Sequence, residues 1–300
     1  MKHTRALALH RDDAAAWRTL SDYVALAKPR LNVLVVATSA AGYYLGATGP
    51  LNLPVMAAAV GGTAFVAAGA AALNQLYERD TDRLMRRTRM RPLPDGRISS
   101  SDARRFGLLL STAGLILLAS LTGWLAALLA LTTLAIYLAV YTPLKRRSPM
   151  ATLVGAVPGA LPPLIGWAAS RGDIAVGGLS LFVIVFLWQI PHFMAIAWMY
   201  RDDYRRAGFP LLPVIESAGR RAGRQAVAYA AALLPAGLLP ALSGVSGNVS
   251  AALATALGAA LLLLAIKFAA TRSDASARRL FFGSLIYLPL VWIAMIADKL

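Results

Sequence analysis

The chain has 300 residues, of which 58% are hydrophobic and only 15% charged. With a mean hydropathy of +0.61, this composition excludes an ordinary soluble domain and points to a bilayer. Cysteine is absent, which excludes a disulfide framework, a thiolate metal site and a cysteine nucleophile; the net charge of +16 has to be read against the apolar segments around it.

Residues 1–30 form an N-terminal segment, expected to be cytoplasmic. It lacks an uninterrupted apolar run and carries Asp12 and Asp13, so it does not read as a signal peptide, and residues 17–27 suit a short helix on the membrane surface. Residues 31–300 read as a single all-α, polytopic membrane domain. Nine apolar runs follow, at 31–48, 53–76, 106–123, 124–142, 151–169, 175–199, 225–243, 249–270 and 280–297. Each is long enough to cross a hydrocarbon core of about 30 Å as a helix.

The basic residues support the count independently. Of the 30 Lys and Arg, all but Arg171 and Lys299 fall on one side of the nine spans. The positive-inside rule then predicts a cytoplasmic N-terminus and a periplasmic C-terminus. Most of the positive charge is therefore an orientation signal and a contact with anionic lipid, and nucleic acid is not an expected partner.

The acids do not share that explanation. Glu78, Asp80 and Asp82 close the second span, and Asp202 and Asp203 close the sixth, on the same predicted side. If the second helix continues through Glu78, then Asn74, Glu78 and Asp82 recur every fourth residue and share a face. An amide and two carboxylates suit Mg2+, which is bound by one or two carboxylates plus substrate oxygens. Interleaved with Arg79, Arg83, Arg86 and Arg87, the same acids equally suit a solvated ladder of salt bridges.

The run Asn74-x3-Glu78-x3-Asp82, continuing as Met85-Arg86-Arg87-Thr88-x2-Arg91-Pro92-Leu93-Pro94, resembles the first signature of the UbiA-type intramembrane prenyltransferases. More closely, it resembles the branch that farnesylates protohaem IX. Further matches fall in order: Lys28-Pro29-Arg30, Tyr141-Thr142-Pro143-Leu144-Lys145-Arg146, Pro191-His192-Phe193, and Asp202-Asp203-Tyr204 continuing through Gly208 to Pro213-Val214. The chain departs from the family pattern in having Glu at 78 where Asp is usual, and adjacent Asp202 and Asp203 where two Asp stand four apart.

The resemblance implies nine helices around a central cavity and a Mg2+-dependent transfer of the farnesyl group of farnesyl diphosphate to a vinyl group of protohaem IX, with water addition. It implies metal ligation by Asn74, Glu78, Asp82, Asp202 and Asp203. Diphosphate would be held by Arg79, Arg83, Arg87, Lys145, Arg146 and Tyr141. It further implies a haem A synthase or terminal-oxidase assembly proteins as receivers of product, and the short N-terminal segment leads to the expectation of a bacterial inner membrane. A prenyltransferase acting on an aromatic quinone precursor shares the metal and diphosphate motifs, and a transporter without chemistry is the third alternative.

His192 is the only histidine within a span. Ionisable groups there are functional by default. A haem contact, a hydrogen bond to the carbonyl freed by Pro191, and proton transfer are all open to it. Pro158, Pro162 and Pro163 are expected to kink the fifth span.

Overall fold

The computed structural model describes residues 19–300, and the regular structure among these is helical, with one isolated bridge between Ser246 and Lys299. The expectations for the earlier N-terminal residues, including Asp12, Asp13 and the first residues of the surface helix, lie outside the described residues.

The long helices are α1 (Thr19–Ala27), α2 (Pro29–Gly46), α3 (Leu53–Tyr77), α4 (Ser100–Leu121), α5 (Trp124–Leu144), α6 (Ala151–Arg171), α7 (Val176–Met199), α8 (Arg220–Leu242), α9 (Asn248–Thr271) and α10 (Asp274–Ala297). Eight of them, α3 to α10, are long and apolar enough to cross a membrane; a ninth span exists only if α1 and α2, bent by 45°, count as one. The expected first span is thus not an isolated apolar helix. Lys28 makes the bend in a left-handed conformation (φ 49°), and Pro29 begins α2, where its missing N–H costs no helical bond.

The largest departures from the hydropathy boundaries are early helix starts. Helices α4, α8 and α10 begin at Ser100, Arg220 and Asp274, well before their apolar runs. Backbone hydrogen bonding can continue into polar sequence once the helix is capped, as Ser99 caps α4 through Asp102 N (3.1 Å). Hydropathy registers only the part in lipid.

Helix α3 packs chiefly on α4, and α2 on α6; α10 returns to touch α2. Small residues permit the closest approaches. A methyl group on Gly166 would stand 1.9 Å from Ser39 O, and one on Gly42 would stand 2.0 Å from Pro163 O, so α2 and α6 meet backbone to backbone. Helix α6 runs unbroken through Pro158, Pro162 and Pro163. Large apolar side chains such as Leu109, Ile116, Leu263 and Ile293 face outward, as a lipid solvent requires.

Candidate active site at the charged rim

Antiparallel helices bring the ends of α3, α5 and α7 to one rim, and each end carries a motif. Asn74, one turn before the end of α3, is buried and donates from Nδ2 to Thr142 Oγ1 at 3.1 Å. Thr142 in turn donates to Tyr137 O at 2.7 Å, five residues back. The same carbonyl also accepts from Thr142 N, the bond that closes a π-helical segment, Ile136–Tyr141, inside α5. Wide turns of this kind occur often at functional sites.

The protons can be assigned. A hydroxyl has one proton, and a carbonyl can only accept it, so Thr142 accepts from the Asn74 amide. The Asn74 oxygen makes no hydrogen bond among the described residues.

Glu78 caps the end of α3 with a non-helical ψ of 6°, and a single turn, Arg79–Asp82, follows it. The helix therefore does not run uninterrupted through the acids, although Asp82 N still bonds Glu78 O at 2.8 Å. The Glu78 carboxylate is 6% exposed and takes a 2.7 Å hydrogen bond from Lys145 Nζ. Burial pushes this carboxyl up, but the cations of Lys145, Lys28 and Arg91 outweigh it and hold it below the usual range. Lys145 also lies 5.1 Å from the Tyr141 ring and 5.4 Å from that of Phe209.

Asp82 is wholly buried. Arg91 Nη1 donates to its Oδ2 at 2.8 Å, while Oδ1 has no hydrogen-bond partner among the described residues. A buried carboxylate oxygen left bare is costly, and it fits a bound cation. Among the described residues no three His, Asp or Glu converge into a preformed cage, so a cation held here draws its remaining ligands from substrate and water.

The other predicted residues divide. Arg79 bonds Ser100 Oγ (2.9 Å) and Asp80 (3.1 Å), and Arg83 bonds Pro94 O (2.9 Å), so both brace the loop between α3 and α4. The Arg87 guanidinium stacks 5.3 Å from the Tyr200 ring, and Met85 packs with Ala207 and Phe209, which brings the segment after α7 onto the same rim. Arg146 is exposed. Asp202 is 66% exposed and pairs with Arg205; Asp203 is 12% exposed and pairs with Arg206. Only Asp203 is turned inward.

His192 lies buried in α7 with Nδ1 2.8 Å from Ser284 Oγ on α10. It makes no bond to the carbonyl one turn before Pro191, which removes that role for the residue.

Two basic residues of the site, Arg91 and Lys28, carry no signal of their own in the spacing of the acids. Arg91 reaches Asp82 only because the loop turns back, with Thr88 Oγ1 on Asp82 O (2.8 Å) and Arg91 N on Thr88 O (3.0 Å); no helical spacing announces a pair nine residues apart. Lys28 opens the Lys28-Pro29-Arg30 match, which by itself assigns it no contact with the acids. Its ammonium interacts electrostatically with Glu78, Asp82, Arg91 and Lys145. So much positive potential beside two carboxylates is a receptor for a multiply charged anion.

A lipid-embedded helical bundle with carboxylates and cations gathered where an apolar helix meets the rim defines an intramembrane prenyltransferase, and the chain belongs to the UbiA prenyltransferase family, whose sequence model matches residues 35–286. It is 46% identical to a protein of Opitutus terrae named "Protoheme IX farnesyltransferase", covering 93% of this chain and 95% of that one. A protein of the same name from Solibacter usitatus is 42% identical over 93% and 99%. The fold is also that of a solved UbiA homologue from Archaeoglobus fulgidus bound to GPP and Mg2+, with a TM-score of 0.65 at 19% identity over 92% of this chain and 99% of that one.

Proposed function

We propose that this protein transfers the farnesyl group of farnesyl diphosphate to a vinyl group of protohaem IX in a bacterial inner membrane, its N-terminus cytoplasmic and its C-terminus periplasmic. The observation that carries the reading is the pairing of two buried carboxylates, Glu78 with Lys145 and Asp82 with Arg91, at the mouth of an apolar bundle, in a chain 46% identical to a named farnesyltransferase.

The anionic head of the substrate meets Lys28, Lys145 and Arg91, and its apolar tail runs between the helices. Asp82, through its bare Oδ1, together with the Asn74 oxygen, Glu78 and Asp203, would hold Mg2+, with Asp202 too exposed to share the work. When bound, Mg2+ neutralises charge that develops on the departing diphosphate. Lys145 and Arg91 add fixed positive charge at the same place.

As the allylic C–O bond breaks, the farnesyl carbon takes the positive charge and the vinyl π electrons form the new C–C bond. Water then adds to the resulting haem-side cation and releases a proton, so haem, farnesyl diphosphate and water give hydroxyethylfarnesyl haem, diphosphate and a proton. Tyr137 and Tyr141, with ring centroids 5.4 Å apart, present π faces able to stabilise a cation by about 0.5–2 kcal/mol. The product suits a haem A synthase or the assembly proteins of a terminal oxidase.

Purified protein given protohaem IX, farnesyl diphosphate and Mg2+ should yield, by mass spectrometry, a haem heavier by a farnesyl group and a hydroxyl. Farnesylation of 4-hydroxybenzoate in its place would establish the quinone-precursor reading instead.

A further inference from the structure

Two aromatic rings pack on the ring of His192. Trp188 and Phe281 stack against it at centroid distances of 5.2 and 5.0 Å, inclined by 22° and 26°. Its Nδ1 edge meets Ser284 Oγ at 2.8 Å, and Nε2 makes no hydrogen bond among the described residues. With the ring stacked and Nδ1 engaged, Nε2 is the nitrogen left for a ligand.

The protons of this cluster can be counted. Ser284 Oγ lies 2.6 Å from Phe281 O, and a carbonyl only accepts, so the single hydroxyl proton is committed there. Nδ1 must then carry a hydrogen and donate it to Ser284, which leaves Nε2 with its lone pair. The serine is itself held in place: Trp188 Nε1, a donor only, bonds Ser284 O at 2.7 Å. One tryptophan thus covers the imidazole and anchors the residue that sets its tautomer.

Metal-binding histidines are prepared in this way, with the far nitrogen donating to a fixed acceptor so that the near one is a basic, oriented ligand. We propose that Ser284 is a positioning residue that locks His192 in the Nδ1–H tautomer and presents Nε2 as an axial ligand to the iron of the acceptor, between α7 and α10. The proposal rests on the haem reading above and adds how the acceptor is gripped. At 1.5 Å per residue, His192 lies about 10 Å inward from the rim end of α7, below the carboxylates that face the diphosphate.

The test is a titration of the purified full chain with ferric protohaem IX and, in parallel, with metal-free protoporphyrin IX. Wild type, His192→Ala, Ser284→Ala and Ser284→Thr are compared by Soret and electron paramagnetic resonance spectra. The wild-type haem complex should show histidine ligation, lost in His192→Ala and restored by added imidazole. Ser284→Ala should weaken haem binding about tenfold, the lower end of the usual effect of such a supporting group, and Ser284→Thr should recover it. Metal-free protoporphyrin should bind all four proteins alike.

Wild-type haem affinity and spectrum in Ser284→Ala would overturn the proposal. So would an equal loss of haem and protoporphyrin binding, which marks a packing role. If His192→Ala keeps the wild-type spectrum while the wild type farnesylates haem, this inference falls and the proposed function stands. If the wild type binds neither tetrapyrrole and farnesylates 4-hydroxybenzoate, both fall together.

Discussion

The two rims of the bundle both hold partly buried charge, and they use it differently. At the rim opposite the carboxylates, Lys299 Nζ donates to Tyr44 O and Ala47 O, each at 2.7 Å, and so closes the end of α2. Asp298 accepts from Ser250 N at 2.7 Å at the start of α9. Arg171 pairs with Asp173 at 3.5 Å beside Trp167. Arg171 and Lys299, the two basic residues that depart from the charge asymmetry, thus fasten helix ends. At the other rim the carboxylates pair with side-chain cations, and among the described residues the buried Asp82 Oδ1 stays without a hydrogen-bond partner. Satisfied charge marks a fastening. Unsatisfied charge marks a place where something binds.

This contrast can be broken by substitution. The largest effect is expected from Glu78→Gln or Asp82→Asn, which should lower turnover by about 10²–10³, the range for loss of one preorganised electrostatic group. The protein should remain folded, as judged by circular dichroism and gel filtration in detergent. Near-wild-type turnover in either variant would place the chemistry elsewhere.

Next comes Lys145→Met, which leaves Glu78 buried without its cation and should destabilise the fold by about 3–5 kcal/mol. The double variant Glu78→Gln with Lys145→Met should regain much of that stability in a thermal melt and none of the activity. Recovery of activity as well would show that the pair is a fastening like those of the opposite rim.

A smaller comparison separates adjacent residues. Asp203→Asn should reduce turnover at least tenfold more than Asp202→Asn, since only Asp203 is turned away from solvent. Equal effects would remove that distinction. The smallest change is expected at the opposite rim, where Lys299→Met should cost about 1–2 kcal/mol of stability through its lost hydrogen bonds, with kcat of the folded fraction unchanged. A fall in kcat would deny that rim its purely structural part.

Much of this is legible in the sequence, for identifiable reasons. Lipid imposes a length and a polarity on every span, so α3 to α10 stand out as apolar runs, and the basic residues mark one rim. The motifs around Glu78, Lys145 and His192 are contiguous stretches of chain, and each stands out against the apolar runs that flank it. What escapes the sequence depends on tertiary closure. The break at Glu78 and the π-helical turn before Thr142 are local adjustments between α3 and α5, and no periodicity encodes them. Asp82 and Arg91 meet through a folded loop, and Ser284 stands 92 residues from the histidine whose tautomer it sets. Arg79 and Arg83, assigned to diphosphate by resemblance, are occupied by Ser100 and Pro94.

The most direct measurement concerns the bare oxygen of Asp82. Mn2+, substituted for Mg2+, can be titrated into the purified protein with and without an unreactive thio-analogue of farnesyl diphosphate, and followed by electron paramagnetic resonance. The wild type should bind the cation tightly only with the analogue present, and Asp82→Asn should lose that linked binding while remaining folded. Unchanged linked binding in Asp82→Asn would contradict the account.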